Sequence, residues 1–179
     1  LLHASAQMSG NEGFGLSMAR TRLLSNMGPV GLLIRDQATL RDSLSLLVQY
    51  LTQLNGALTL TVEEEDDSVL IRELLLAGSA HEPTRQRVEL ALGVMVRAIR
   101  QLIGSDWKPR LVCFEHSPPR DLTAHKQLFG PRVEFNQEFN CIVCTKSDLD
   151  KRNEFADPAM GRYAKKLLES NAHVADSAV

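Results

Sequence analysis

Aromatic residues are scarce in this chain, with one tryptophan, two tyrosines and six phenylalanines among 179 residues. A sugar site wants an aromatic platform and several paired polar groups, so the composition gives it thin support. Cysteine is scarce too. Cys113, Cys141 and Cys144 are odd in number and sparse, which excludes a disulfide-built secreted domain and points to a bacterial-type cytoplasmic setting. Neither sign of charge dominates. Twenty Lys and Arg against 22 Asp and Glu give a net charge of −2, and the arginines are scattered, so no basic face for a phosphate backbone is indicated. Lys165-Lys166 is a single pair expected to face solvent. No apolar run reaches the length that spans a bilayer, and no signal segment opens the chain. Nucleophile elbow, P-loop, dinucleotide fingerprint and paired zinc-binding histidines are all missing, which leaves nothing that reads as catalytic.

What is present is one domain's worth of chain, 44% hydrophobic and 23% charged, the balance of an ordinary globular protein. Leu1 to Met8 reads as the end of a helix, broken by Ser9-Gly10-Asn11. A short helix follows from Phe14 to about Arg22. Gly28-Pro29 is expected to interrupt, and Val30 to Ile34 to make a brief apolar turn or helix. Thr39 is a good N-cap, with Asp42 in the first turn where the dipole favours it. Leu40, Leu44, Leu47, Val48, Leu51 and Leu54 recur at helical spacing until Asn55-Gly56.

Leu58, Leu60 and Val62 alternate with Thr59, Thr61 and Glu63, the period of a half-buried strand. The acidic run Glu63 to Asp67 then forms a hairpin tip returning through Val69, Leu70 and Ile71. It lacks the glycine and distal glutamate of a calcium loop. A long helix is expected from Pro83 to Ile103, striped by Val88, Ala91, Leu92, Met95 and Ile99 and left at Gly104. A strand from Leu111 to His116 must turn at Pro118-Pro119. A short helix containing Leu122, Lys126 and Phe129 follows, then strands over Val133–Phe135 and Phe139–Thr145. A turn at Ser147–Asp150 and a helix from Pro158 through Leu168 complete the pattern. The order predicts an α+β fold in which an antiparallel sheet of about four to five strands packs with several helices.

Few residues stand out as a site. Cys141 and Cys144 sit three apart on a strand, so they face opposite ways and cannot share a zinc. His116, at a strand end beside Glu115, is either a structural histidine or a pocket wall. Arg72 and Arg110 meet an anionic ligand if they face inward and solvent if they do not. Trp107 plugs the edge of the core or walls a pocket. With Phe114, these make the candidate ligand-binding set Arg72, Trp107, Arg110, Phe114 and His116.

An ordered set of segments carries a resemblance. It runs from Phe14-Gly15-Leu16 and Gly31-Leu32-Leu33 through Leu44–Leu54, Leu58–Glu64, Arg87–Ala91 and Trp107-Lys108-Pro109 to His116–Phe135, Phe139-Asn140 and Ser147–Asp150. Taken together they resemble the N-terminal arabinose-binding-type domain of AraC/XylS transcription regulators. The element order is also similar to haem nitric-oxide-binding and related small-molecule ligand domains, although their Tyr-x-Ser-x-Arg motif is missing. The resemblance implies a non-enzymatic regulatory domain without a cofactor, sensing a small-molecule effector, forming a homodimer and touching neither membrane nor, by itself, promoter DNA. It further implies a ligand-binding and dimerisation domain over residues 1–170, with 171–179 beginning a linker to a C-terminal helix-turn-helix half. Both chain ends look cut, as in a fragment of a longer protein. The alternatives are a free-standing interaction or dimerisation module and a haem or metal sensor.

Overall fold

A computed structural model describes residues 1–54, 56, 58–75 and 84–176. In chain order the elements are α1 (Leu2–Ser9), α2 (Phe14–Ala19), a 3-10 turn (Leu24–Met27), α3 (Gly28–Arg35) and α4 (Leu40–Leu54). The hairpin β1 (Leu58–Glu65) and β2 (Ser68–Leu75) follows, then α5 (Arg85–Ile103), β3 (Leu111–Cys113), α6 (Thr123–Phe129) and β4 (Val133–Glu134). The described chain finishes with β5 (Asn140–Thr145), α7 (Lys146–Leu149) and α8 (Pro158–Asp176).

The five strands form one sheet in the order β1-β2-β5-β3-β4, antiparallel except where β3 and β4 run parallel. The fold is α+β, as expected. The parallel β3–β4 pair is possible because α6 crosses between the two strands.

Strand alternation sorts the sheet into two faces. Val62 stands opposite Ile71 and Leu60 opposite Glu73, while Val69 pairs with Cys144 and Ile71 with Ile142. Val69, Ile71, Ile142, Cys144 and Val112 are all shut from solvent on the inner face, where helices cover them. Thr61, Leu70, Arg72, Cys141 and Cys113 fall on the other face. Cys141 and Cys144 therefore do point apart, and Cys141 lies beside Cys113 across the β3–β5 pair. All three cysteines are free and buried.

Helix α5 is the pillar of the core. Val88, Leu92, Met95, Val96, Ile99 and Leu102 are buried along it, each contributing about 1.5–3 kcal/mol by leaving water. Against its other side lies α2, held at a distance that only glycine permits. A Cβ on Gly15 would stand 2.3 Å from the Gln86 carbonyl oxygen. The Gly15 N–H instead donates to Gln86 Oε1 at 2.7 Å, while Gln86 Nε2 and Arg85 hold the Glu12 carbonyl.

Local chemistry explains several boundaries. Thr39 Oγ1 accepts the Asp42 N–H at 3.2 Å, the expected cap. Gly28-Pro29 opens α3 rather than interrupting, because proline is at home in a first helical turn. The strand expected to reach His116 stops at Cys113, and β5 begins at Asn140 rather than Phe139. Beyond Cys113 the Glu115 N–H goes to the Asn140 side chain (3.0 Å) instead of a ladder. Ser147–Asp150 is not a simple turn. Thr145 and Asp148 exchange a reciprocal cap that starts the short helix α7. Helix α2 ends at Ala19, short of Arg22, and α8 runs beyond Leu168 to Asp176. Asn55 and Pro83, expected to close and open helices, lie outside the described residues.

Candidate functional site

Between the inner face of the β1–β2 hairpin and the helices α4 and α5 is a pocket of ≈370 Å³. Leu58, Leu60 and Glu73 form its floor, Leu47 and Leu51 one wall, and Arg87, Leu90, Ala91, Val94 and Met95 the other. Leu2 of α1, with Asn26 and Met27 of the 3-10 turn, stand at its edge. Its size and mostly aliphatic lining with few polar groups are those of a small-molecule site.

Glu73 is the acidic member of that lining. It follows Val69 and Ile71 at two-residue spacing, so the strand carries it onto the inner face, where it is 6% exposed. Its Oε1 has no hydrogen-bond partner among the described residues. Burial pushes its carboxyl well above the ordinary glutamate range.

A second buried glutamate makes the contrast. Glu89, fully enclosed on α5, receives Arg85 Nε at 2.8 Å and His125 Nε2 at 3.0 Å, with His116 Nε2 at 3.6 Å. Burial raises its carboxyl, but the hydrogen bonds from His125 and Arg85 outweigh that and hold it below its usual value. Phe114, Phe129 and Phe135 surround the knot, with Phe114 and Phe135 stacked at 5.4 Å between ring centroids. His116 Nδ1 lies 2.9 Å from the Ser117 carbonyl, which can only accept, so Nδ1 carries a proton. Burial lowers the pKa of that imidazole. Glu89 Oε1 is thus occupied by its own chain, whereas Glu89 Oε2 and Glu73 Oε1 have no hydrogen-bond partner among the described residues.

Of the five residues singled out from the sequence, the structure brings Phe114 and His116 together, in the Glu89 knot. Arg72 lies on the outer face of the sheet, 3.3 Å from Glu63 and stacked 4.0 Å over the Phe139 ring. Arg110 bonds Asp67 at 2.7 Å on the surface. Trp107 is buried at the end of α5, its carbonyl taking Arg100 Nε at 2.9 Å. None of the five lines the pocket against α5. Glu73 escaped sequence reasoning, although the step from Val69 to Ile71 to Glu73 was the signal for it. The acidic hairpin tip is engaged by arginines: Arg72 on Glu63, Arg41 on Glu64 and Arg110 on Asp67. Among the described residues no group of three or more His, Cys, Asp or Glu is placed to hold a metal ion, and no helix is long and apolar enough to cross a membrane.

Comparison with known proteins agrees with this architecture. The chain is 31% identical over 173 residues to the HTH-type transcriptional regulator VirS in two strains of Mycobacterium tuberculosis. That match covers 95% of this chain and 50% of VirS, so the chain spans about half the length of these curated relatives. Its fold is similar to that of the transcriptional regulator CdpR from Pseudomonas aeruginosa. The TM-score is 0.71 at 17% identity, covering 84% of this chain and 49% of CdpR. Residues 1–153 match the family described as the arabinose-binding domain of AraC transcription regulator, N-term. With most of its length inside that match, the chain belongs to the family of N-terminal domains of AraC transcription regulators.

Proposed function

We propose that this chain is the effector-sensing half of an AraC-type transcription regulator and that the pocket between the hairpin, α4 and α5 receives the effector. The observation that carries the reading is Glu73, buried with Oε1 unpartnered among the described residues, in a mostly aliphatic cavity. A polar group left bare inside a fold costs stability, and a ligand that completes it recovers that cost. On this reading the domain is non-enzymatic and cytoplasmic, and self-associates as a homodimer. It spans residues 1–170 and reads promoter DNA only through a helix-turn-helix half that follows a linker. An effector would act by preferring one arrangement of the domain over another.

The pocket's edge supplies a route for that preference. Met27 ends the 3-10 turn and is joined directly to α3, and α3 packs along α8. Gly28 between them has φ +59° and ψ −139°, a conformation open to glycine and little else. Occupancy that moves Met27 therefore bears on α3 and through it on α8.

The test fills the pocket. Ala91→Trp, with Ala91→Leu as the milder variant, is placed in the longer regulator beside a promoter reporter. The expected result is a folded protein whose output no longer changes between growth conditions that switch the parent. Output that still follows those conditions as the parent's does would remove the pocket from the account.

A further inference from the structure

Resting on the reading of this pocket as the effector site, we infer that its ligand is a slender apolar molecule with one hydrogen-bond-donating head group, a hydroxyl or a protonated amine, seated on Glu73. Ionised, the carboxylate only accepts, which a donating head completes; protonated, it also donates, and a hydroxyl, which donates and accepts, serves Oε1 in either state. Most of the remaining cavity surface is aliphatic, with Leu47, Leu51, Leu60, Leu90 and Val94 matching a hydrocarbon body.

Arg87 shares the wall, with an interaction of its own within the chain, and an ionised acidic head group would bring Glu73 Oε1 no donor. A sugar fits worse. Each of its hydroxyls would need a partner, and the cavity offers Glu73, Arg87 and Asn26 among aliphatic side chains. The raised proton affinity of Glu73 separates the two candidate heads. Where the carboxyl carries a proton, an ammonium group displaces it to the buffer as the ion pair forms. A hydroxyl binds with no net proton transfer.

The experiment uses this chain with four probes at pH 8: n-hexylamine, 1-hexanol, hexanoate and L-arabinose, each at millimolar concentration. Melting temperature and titration calorimetry in two buffers of different ionisation enthalpy are read. The expected result is stabilisation by hexylamine or hexanol, none by hexanoate or arabinose, and loss of the effect in Ala91→Trp. A buffer-dependent heat assigns the amine and a buffer-independent heat the hydroxyl. Glu73→Gln should weaken amine binding by about tenfold or more and leave hexanol within about threefold. Stabilisation by hexanoate or arabinose equal to or above that of the donor probes, or by none of the four, overturns the donor-head assignment. If the reporter test succeeds while these probes fail, the pocket reading stands and only the ligand class falls.

Discussion

At the scale of single residues, the two buried glutamates predict opposite responses to pH. Glu73 has its proton affinity raised in the folded state, so protonation favours folding. The stabilisation is complete below the unfolded glutamate value and is lost as pH rises towards the folded one. Glu73→Gln removes that loss. It should raise the melting temperature at pH 8 by about 3 °C, with little change at pH 4, as followed by circular dichroism. Glu89 is depressed, so its contribution is present above the unfolded value and is lost as pH falls through the folded one. Glu89→Gln leaves the half-buried Arg85 and the buried His125 against a neutral amide and should cost about 3 kcal/mol, lowering the midpoint by about 8 °C at pH 7. An equal effect of both substitutions at both pH values would mean that neither environment is as described.

These residues also show how far a site can be read before a structure. Sequence reasoning looked for rare side chains, and those chosen became a surface ion pair (Arg110), a stacked outer-face guanidinium (Arg72), a core plug (Trp107) and parts of the Glu89 knot (Phe114, His116). The pocket wall is instead made of leucine and alanine whose positions are ordinary for a helix. Only their meeting across α4, α5 and the hairpin makes a cavity, and nothing local records that meeting.

At the scale of elements, legibility followed periodicity. Helices α4 and α5 and the β1–β2 hairpin bury one regular stripe each, so their patterns survive in the sequence. Strand β4 is two residues long and exists because β3 lies beside it, and α7 is four residues set by the Thr145–Asp148 cap. Such elements are decided by neighbours rather than by propensity. The α2–α5 contact carries a prediction at this scale. Gly15→Ala forces a Cβ onto the Gln86 carbonyl and should cost about 2 kcal/mol or more, with faster amide exchange in α2 than in α5. Exchange unchanged in α2 would mean that the two helices can part without cost. Gly93, where an added Cβ would come 2.7 Å from Ala19 Cβ, should behave alike.

For the whole molecule, the 3-10 turn and α3 link the pocket to the last helix. Asn153 fastens the same region, its side chain donating to the carbonyls of Arg35 and Gln37 and its N–H to that of Ala38. A ligand in the pocket should therefore slow amide exchange in α3 and the first turns of α8 as well as in β1, β2 and α5. Protection confined to the pocket walls would leave the cavity without a path to α8. Trp107, at the far end of α5, should report little of this by fluorescence.

The seam between β2 and β5 has a consequence for synthesis. Residues 68–73 pair with residues 140–145, roughly seventy positions later in the chain. At about ten residues per second the hairpin emerges and waits some seven seconds, on the order of the whole remaining translation of the sheet, before its inner edge is covered. During that interval Val69 and Ile71 lie along an open strand edge, the geometry that recruits other chains. Nascent chains halted before Asn140 are thus the species that a holdase chaperone must catch, and slowing the ribosome between β2 and β5 should lower soluble yield even though the finished fold is unchanged.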